Sequence, residues 1–140
     1  MTANMYRIID HTADMGFEVK GDSKEKVFET AALAFFEIMW DTKGRKDSIP
    51  EAIEVTGGDI KELMVNFLEE FLYLYDAKGL ICTDIKVEKV SKTRLNAMAW
   101  LRPFAEKLDQ EVLGVKAVTY HQLYIGEKNG RWTARIFLDI

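Results

Sequence analysis

The chain has little cysteine, little proline and no long apolar run, and these shortages exclude several classes of protein. One cysteine among 140 residues rules out an intrachain disulfide framework and a cysteine-rich zinc site, and it favours a reducing environment. The longest apolar stretch, 31–36, falls far short of the roughly 18 residues that a membrane span requires. The first residues lack the basic and apolar regions of a signal peptide. We therefore expect a cytoplasmic protein without a membrane association.

An excess of basic residues is also missing. Lys and Arg number 19 and Asp and Glu number 23, which gives a formal net charge of −4 at pH 7. Domains that attract nucleic acid through bulk charge are usually strongly basic, so this balance argues against such a groove. The length and the 48% share of hydrophobic residues predict a single soluble domain, residues 1–140, with one core.

Two segments have the apolar spacing of amphipathic helices. The first follows a favourable N-cap residue, Ser23, and extends to about Asp41. The second begins at Asp59 and extends to about Ala77, with Gly79 as its expected stop.

The remaining segments mostly alternate apolar and polar residues, as half-buried strands do. Asn129 and Gly130 separate the last two of them and favour the type I′ turn of a hairpin. Segment 103–115 is ambiguous between a loop and a loop with one helical turn. Strands around two separate helices, without regular βαβ alternation, indicate an α+β fold. The simplest architecture is a mostly antiparallel β-sheet with two main helices packed on one face.

The first candidate site is the segment 11–16, which reads His-Thr-Ala-Asp-Met-Gly. His11 and Asp14 are three residues apart, and an imidazole and a carboxylate suit a cation site or a proton transfer. The alternative is an ordinary turn, in which Thr12 and Asp14 bond nearby amides and Gly16 supplies a permissive backbone. The residues alone leave both interpretations open, and the turn is the commoner arrangement.

The last two residues form a second candidate site. Strand alternation predicts that Asp139 lies on the opposite face from Ile136 and Leu138, beside the terminal carboxylate of Ile140. Two carboxylates held close together either raise a pKa or recruit a cation. The alternative is a frayed terminus whose charges face water.

The strand that opens the predicted hairpin carries Lys116 at its start and His121 within it. Alternation places His121 on the same face as Ala117 and Leu123. His11 and His121 are two nitrogen donors, but their spacing is unlike that of a zinc motif, and a hydrogen-bonded role is the commoner one.

Two other features have plain structural interpretations. Cys82 lies in a segment that resembles a buried strand, and we expect it to be an inert packing residue. A small basic cluster surrounds an expected hairpin bend, where a solvated turn is the default and a contact with a partner or RNA is the alternative; it comprises Lys86, Lys89, Lys92 and Arg94.

Taken together, the segments resemble the archease family. The matching pieces occur in the family's order and span nearly the whole chain: His11–Gly16, Thr30–Phe36, Leu72–Asp76, Val115–His121 and Ala134–Ile140. Each piece alone is weak support for the resemblance, whereas the five pieces in this order are specific to the family. One departure is that segment 103–115 contains no histidine, whereas relatives often carry one there.

The resemblance implies an accessory protein that is not itself an enzyme. Archeases activate the GTP-dependent RNA ligase of tRNA splicing, promoting guanylylation of its histidine and multiple turnover. The ligase is thus the implied partner, and RNA is reached only through it. The family's metal site maps onto Asp14, Asp139 and the carboxylate of Ile140, with calcium as the expected ion and magnesium or manganese as alternatives. His11, Lys116 and His121 are further positions for function or partner contact.

Two other functions compete with ligase activation. One is a chaperone-like modulator of a tRNA methyltransferase or of another RNA-modifying enzyme. The other is a small metal-dependent hydrolase, for which His11 is the only general base beside the acidic residues.

Overall fold

The computed structural model describes residues 6–10 and 14–140. Its helices are α1 (Lys24–Met39) and α2 (Ile60–Lys78). Its strands are β1 (Tyr6–Asp10), β2 (Asp14–Gly21), β3 (Trp40–Asp41), β4 (Ile49–Thr56), β5 (Leu80–Val90), β6 (Arg94–Pro103), β7 (Gln110–Glu111), β8 (Ala117–Lys128) and β9 (Arg131–Asp139). In the part of the chain described, no helix combines the length and apolar character needed to cross a membrane.

The helix ends follow the local signals in the sequence. Ser23 caps α1 by accepting a hydrogen bond from the Lys26 amide at 3.1 Å. Asp59 caps α2 in the same way, and Gly79 ends that helix in the left-handed conformation with φ of 66°. The first helix ends at Met39, slightly before the predicted boundary, because the next two residues pair with β7 as the short strand β3.

The strands pair antiparallel throughout, so the predicted α+β class is confirmed. They form a four-stranded sheet of order β1-β2-β9-β8, a three-stranded sheet of order β4-β6-β5 and the two-residue pair β3-β7. Asn129 and Gly130 have φ of 54° and 78°, as the predicted type I′ turn between β8 and β9 requires.

One hydrophobic core joins both helices to the two larger sheets. Helix α1 packs on β2, β9 and β5, and α2 packs on β8 and on all three strands of the smaller sheet. Phe17 and Ile136 enter this core from the four-stranded sheet, and Ile81 and Leu95 enter it from the three-stranded one. The opposite face of the four-stranded sheet therefore stays free of the helices.

Strand β8 departs from the predicted alternation. Val118 and Leu123 are both buried, although simple alternation assigned them to opposite faces. The pairing with β9 shifts between Thr119 and Tyr124, and Gln122 within the shift has φ of 54°. This bulge inserts extra residues and returns the apolar side chains to the core face.

Candidate functional site

Asp14 and Asp139 lie directly opposite each other at one end of the four-stranded sheet. Strand β2 begins at Asp14, β9 ends at Asp139, and the antiparallel register pairs the two residues. Directly opposite residues have Cβ atoms roughly 4.5–5.5 Å apart, so the carboxylates are neighbours. Ile140 follows Asp139 immediately and is 43% exposed. We call Asp14, Asp139 and Ile140 the acidic end.

This arrangement is electrostatically unfavourable without a cation. Like charges directly opposite each other on a sheet repel. Neither carboxylate makes a side-chain hydrogen bond or ion pair within residues 6–10 and 14–140. Oxygen donors of this kind suit a hard divalent cation, so the residues fit the metal that the family resemblance implies.

The described residues contain no group of three or more His, Cys, Asp and Glu side chains that would hold a metal ion by themselves. The assignment of the Ile140 carboxylate as the third donor stays a prediction. His11, the histidine of the predicted cluster, lies outside the residues that the structure describes.

Lys116 lies against the acidic end through its backbone. Its amide donates a hydrogen bond to the Asp139 carbonyl oxygen at 2.7 Å, and the next residue, Ala117, pairs with Asp139. Helix α2 also contacts this segment, because the Glu69 carboxylate accepts a hydrogen bond from the Val118 amide at 2.7 Å. These bonds hold the start of β8 next to the end of β9, with the Lys116 side chain exposed.

A cleft of about 290 Å³ adjoins Lys116 and was not anticipated as part of a site. Tyr75 and Asp76 of α2 and Glu111 of β7 line it. The Tyr75 hydroxyl donates a hydrogen bond to Glu111 at 2.8 Å, and burial together with this carboxylate raises the pKa of Tyr75 to about 12. The sequence feature that could have pointed to this cleft is the Leu72–Asp76 segment. It resembled the archease family but did not suggest a role for these residues.

Gly16 supports the acidic end through its missing side chain. It pairs with Phe137, and a Cβ added at Gly16 would come within 2.5 Å of the Phe137 ring. Its φ is not positive, so the turn interpretation of this glycine is wrong. Phe137 is buried although it lies outside the main core, and the exposed His121 ring packs edge-on against it with centroids 6.3 Å apart. His121 therefore lies on the face that carries Asp139.

We expect Gly16→Ala to destabilise the fold by about 1–3 kcal/mol, because the new methyl group overpacks against the Phe137 ring. Urea denaturation measures the loss. Gly114→Ala is the matched control, since its Cβ would meet its nearest neighbour at 3.6 Å, an ordinary contact. Adding Phe137→Leu should recover part of the stability, and equal losses at both glycines would contradict the packing role.

A family model described as the Archease protein family (MTH1598/TM1083) matches residues 6–140. The chain belongs to the archease family. The match spans both strands of the acidic end, so the resemblance of the separate segments is confirmed over almost the full sequence.

Relatives and solved structures agree with this membership. The protein archease of Pyrococcus abyssi is 38% identical over 136 residues, covering 94% of this chain and 95% of that protein. The solution structure of Methanobacterium thermoautotrophicum protein 1598 has 32% identity, a TM-score of 0.78 and coverage of 97% and 99%. The crystal structure of an archease from Thermotoga maritima, described as a possible chaperone, has 17% identity, a TM-score of 0.64 and 94% coverage of each chain, and it shows the shared fold.

Proposed function

We propose that this archease activates a GTP-dependent tRNA-splicing RNA ligase by docking its acidic end at the ligase's nucleotide pocket. The observation that supports the proposal most is the direct pairing of Asp14 with Asp139. This surface concentrates oxygen donors that have no partner within the described part of the chain. Such donors complement a pocket that handles metal ions and phosphates.

In this proposal Asp14, Asp139 and the terminal carboxylate hold one divalent cation, calcium or else magnesium or manganese. When bound, the ion supplies positive charge close to nucleotide phosphates. The chain's own contribution is to place the carboxylates rigidly: strand pairing sets their spacing, and the Lys116 amide holds the Asp139 backbone. The exposed Lys116 ammonium is available to contact a phosphate or an acidic group of the ligase. The expected result is faster guanylylation of the ligase histidine and repeated turnover.

The role of the terminal carboxylate has its own test. We expect that a Gly-Ser-Gly-Ser extension after Ile140 lowers stimulated multiple-turnover ligation by about tenfold or more, because an amide replaces the carboxylate. The same extension before Met1 is the control and should leave ligation unchanged. An unchanged melting temperature for both proteins excludes misfolding as the cause. Full activity of the carboxyl-terminal extension would remove Ile140 from the site.

A second candidate function is the chaperone-like modulation of a tRNA methyltransferase or another RNA-modifying enzyme. The Thermotoga structure's description as a possible chaperone favours it. Capture from lysate on an amino-terminal tag separates the two functions, because the tag leaves Ile140 free. We expect recovery of the ligase with the unaltered chain and less of it with Asp139→Asn. Recovery of a methyltransferase alone, with no ligase, would favour the second function.

A further inference from the structure

The helix-free face of the four-stranded sheet has a polarised charge distribution. Residues of β2 and β9 alternate between the core and this outer face: Phe17, Val19, Ala134 and Ile136 point into the core. Their neighbours point outward, beginning with Asp14 and Asp139 at the acidic end. Beyond the row of Gly16 and Phe137, the outward residues become predominantly basic.

The basic part of the outer face carries five cations and two carboxylates. The cations are Arg7, Lys20, Lys128, Arg131 and Arg135, and the carboxylates are Glu18 and Asp22, which lines a cleft together with Lys20 and Arg131. Glu18 pairs with Arg7 at 3.0 Å and with Arg135 at 3.2 Å, so it offsets one of the two arginines. The local excess is therefore positive within a chain whose net charge is −4.

An aromatic ring lies among these charges. The Tyr124 ring covers Gly126, where an added Cβ would come within 2.7 Å of the ring carbon Cζ. The Arg135 guanidinium lies 5.6 Å from the ring centroid, and Tyr124 remains 43% exposed. Open aromatic and guanidinium surfaces on a sheet, flanked by cations, are typical of single-stranded nucleic-acid binding.

We infer that the outer face binds a single-stranded RNA segment, with phosphates near Lys20, Lys128 and Arg131 and a base stacked on Tyr124. This inference rests on the proposed function: an RNA strand lying along the sheet would lead from the basic part toward the acidic end docked at the ligase. Local charge provides the attraction that the overall net charge does not. The carboxylates of the acidic end repel phosphates, so the RNA contacts the basic part of the face only.

Fluorescence anisotropy of a labelled 12-nucleotide unstructured RNA tests the contact on the full chain alone, in 50 mM salt. We expect weak binding, with a dissociation constant on the order of 10⁻⁵ M. The triple variant Lys20→Gln, Lys128→Gln, Arg131→Gln should bind at least tenfold more weakly and reduce the salt slope by about 2. These three residues make no ion pair within the described ranges, which limits the risk to folding.

The matched control is Lys86→Gln, Lys89→Gln, Lys92→Gln, which removes the same charge from exposed positions of β5 and of the turn that follows it. It should retain RNA binding. Tyr124→Leu should weaken binding several-fold, and Tyr124→Phe should not, because stacking requires the ring rather than the hydroxyl. Equal losses in the two triple variants, or no RNA binding by the unaltered chain, would overturn the inference.

The ligase assay distinguishes this inference from the proposed function. Guanylylation needs no RNA, so the outer-face triple variant should stimulate it fully while raising the RNA KM of stimulated ligation about tenfold. If the unaltered chain binds RNA but does not stimulate guanylylation, the proposed function fails and the RNA contact remains. If guanylylation is stimulated and the triple variant leaves both RNA affinity and RNA KM unchanged, the RNA contact fails alone.

Discussion

Replacing Asp14 or Asp139 with asparagine is expected to reduce stimulated multiple-turnover ligation by up to about 100-fold. Each substitution keeps the size of the side chain and removes one of the paired charges at the acidic end. Loss of a carboxylate donor weakens cation binding strongly, and a neutral amide complements a metal and phosphate pocket poorly. The measurement is product formed per ligase molecule with the variant present in excess.

The stability of the same variants separates function from folding. Removing one of two opposed like charges should leave the melting temperature in chelator unchanged or slightly higher, since the repulsion disappears. Asp22→Asn is the matched control, an exposed aspartate just beyond the opposite end of β2, and it should ligate normally. Normal ligation with both Asp14→Asn and Asp139→Asn would contradict the assignment of the acidic end.

Asp109→Ala is expected to destabilise the protein by about 3–5 kcal/mol, because it leaves the buried Arg102 guanidinium without its partner. The two side chains form a bidentate pair with both N···O distances at 2.7 Å. Asp109 also accepts hydrogen bonds from Thr42 at 2.5 Å and from the Ala105 amide at 2.9 Å. The pair thus joins β6 to the loop that precedes β7, and urea denaturation measures its loss.

The loss of stability at acid pH provides a second measure of the Arg102–Asp109 pair. Hydrogen bonding to Arg102 lowers the pKa of Asp109 from 3.8 to about 2. A lowered folded-state pKa adds stability above the unfolded value, so this contribution, on the order of 2 kcal/mol, should disappear between about pH 4 and pH 2. Glu54→Ala is the control, since its pair with Arg94 is exposed and is expected to contribute less than about 1 kcal/mol. Equal losses for Asp109→Ala and Glu54→Ala would contradict the structural importance of the buried pair.

Features that depend on a few neighbouring residues were predictable from the sequence. Ser23 and Asp59 cap their helices through side chains that reach amides three residues ahead, and Gly79 takes the left-handed conformation that ends α2. Asn129 and Gly130 supply two positive φ angles within one turn. The interactions that determine these features join residues that are close in sequence, so the features can be recognised from one sequence alone.

Features that depend on distant pairing were not predictable in the same way. The division of the strands between two larger sheets depends on which strands become neighbours. The β8 bulge has no local marker, since Gln122 adopts its positive φ for the pairing with β9. The Arg102–Asp109 pair likewise requires the Asp109 loop to return to β6 and Thr42.

The candidate site was predictable only in part. The chemistry of Asp14 and Asp139 was visible in the residues, and the family resemblance joined the two as one site. Their direct opposition required the antiparallel register of β2 and β9, which the strand patterns do not specify. The reason that position 16 requires a glycine also became clear only from that register, because the Phe137 ring lies opposite it.

The most direct test of ligase activation is the rate at which the GTP-dependent RNA ligase of the same organism acquires labelled guanylate. The assay uses GTP labelled on the α-phosphate, without RNA, and adds this archease below the ligase concentration. We predict a clear acceleration, in which one archease molecule serves several ligase molecules in turn. Asp139→Asn should abolish it. An unchanged rate with the unaltered chain would contradict ligase activation.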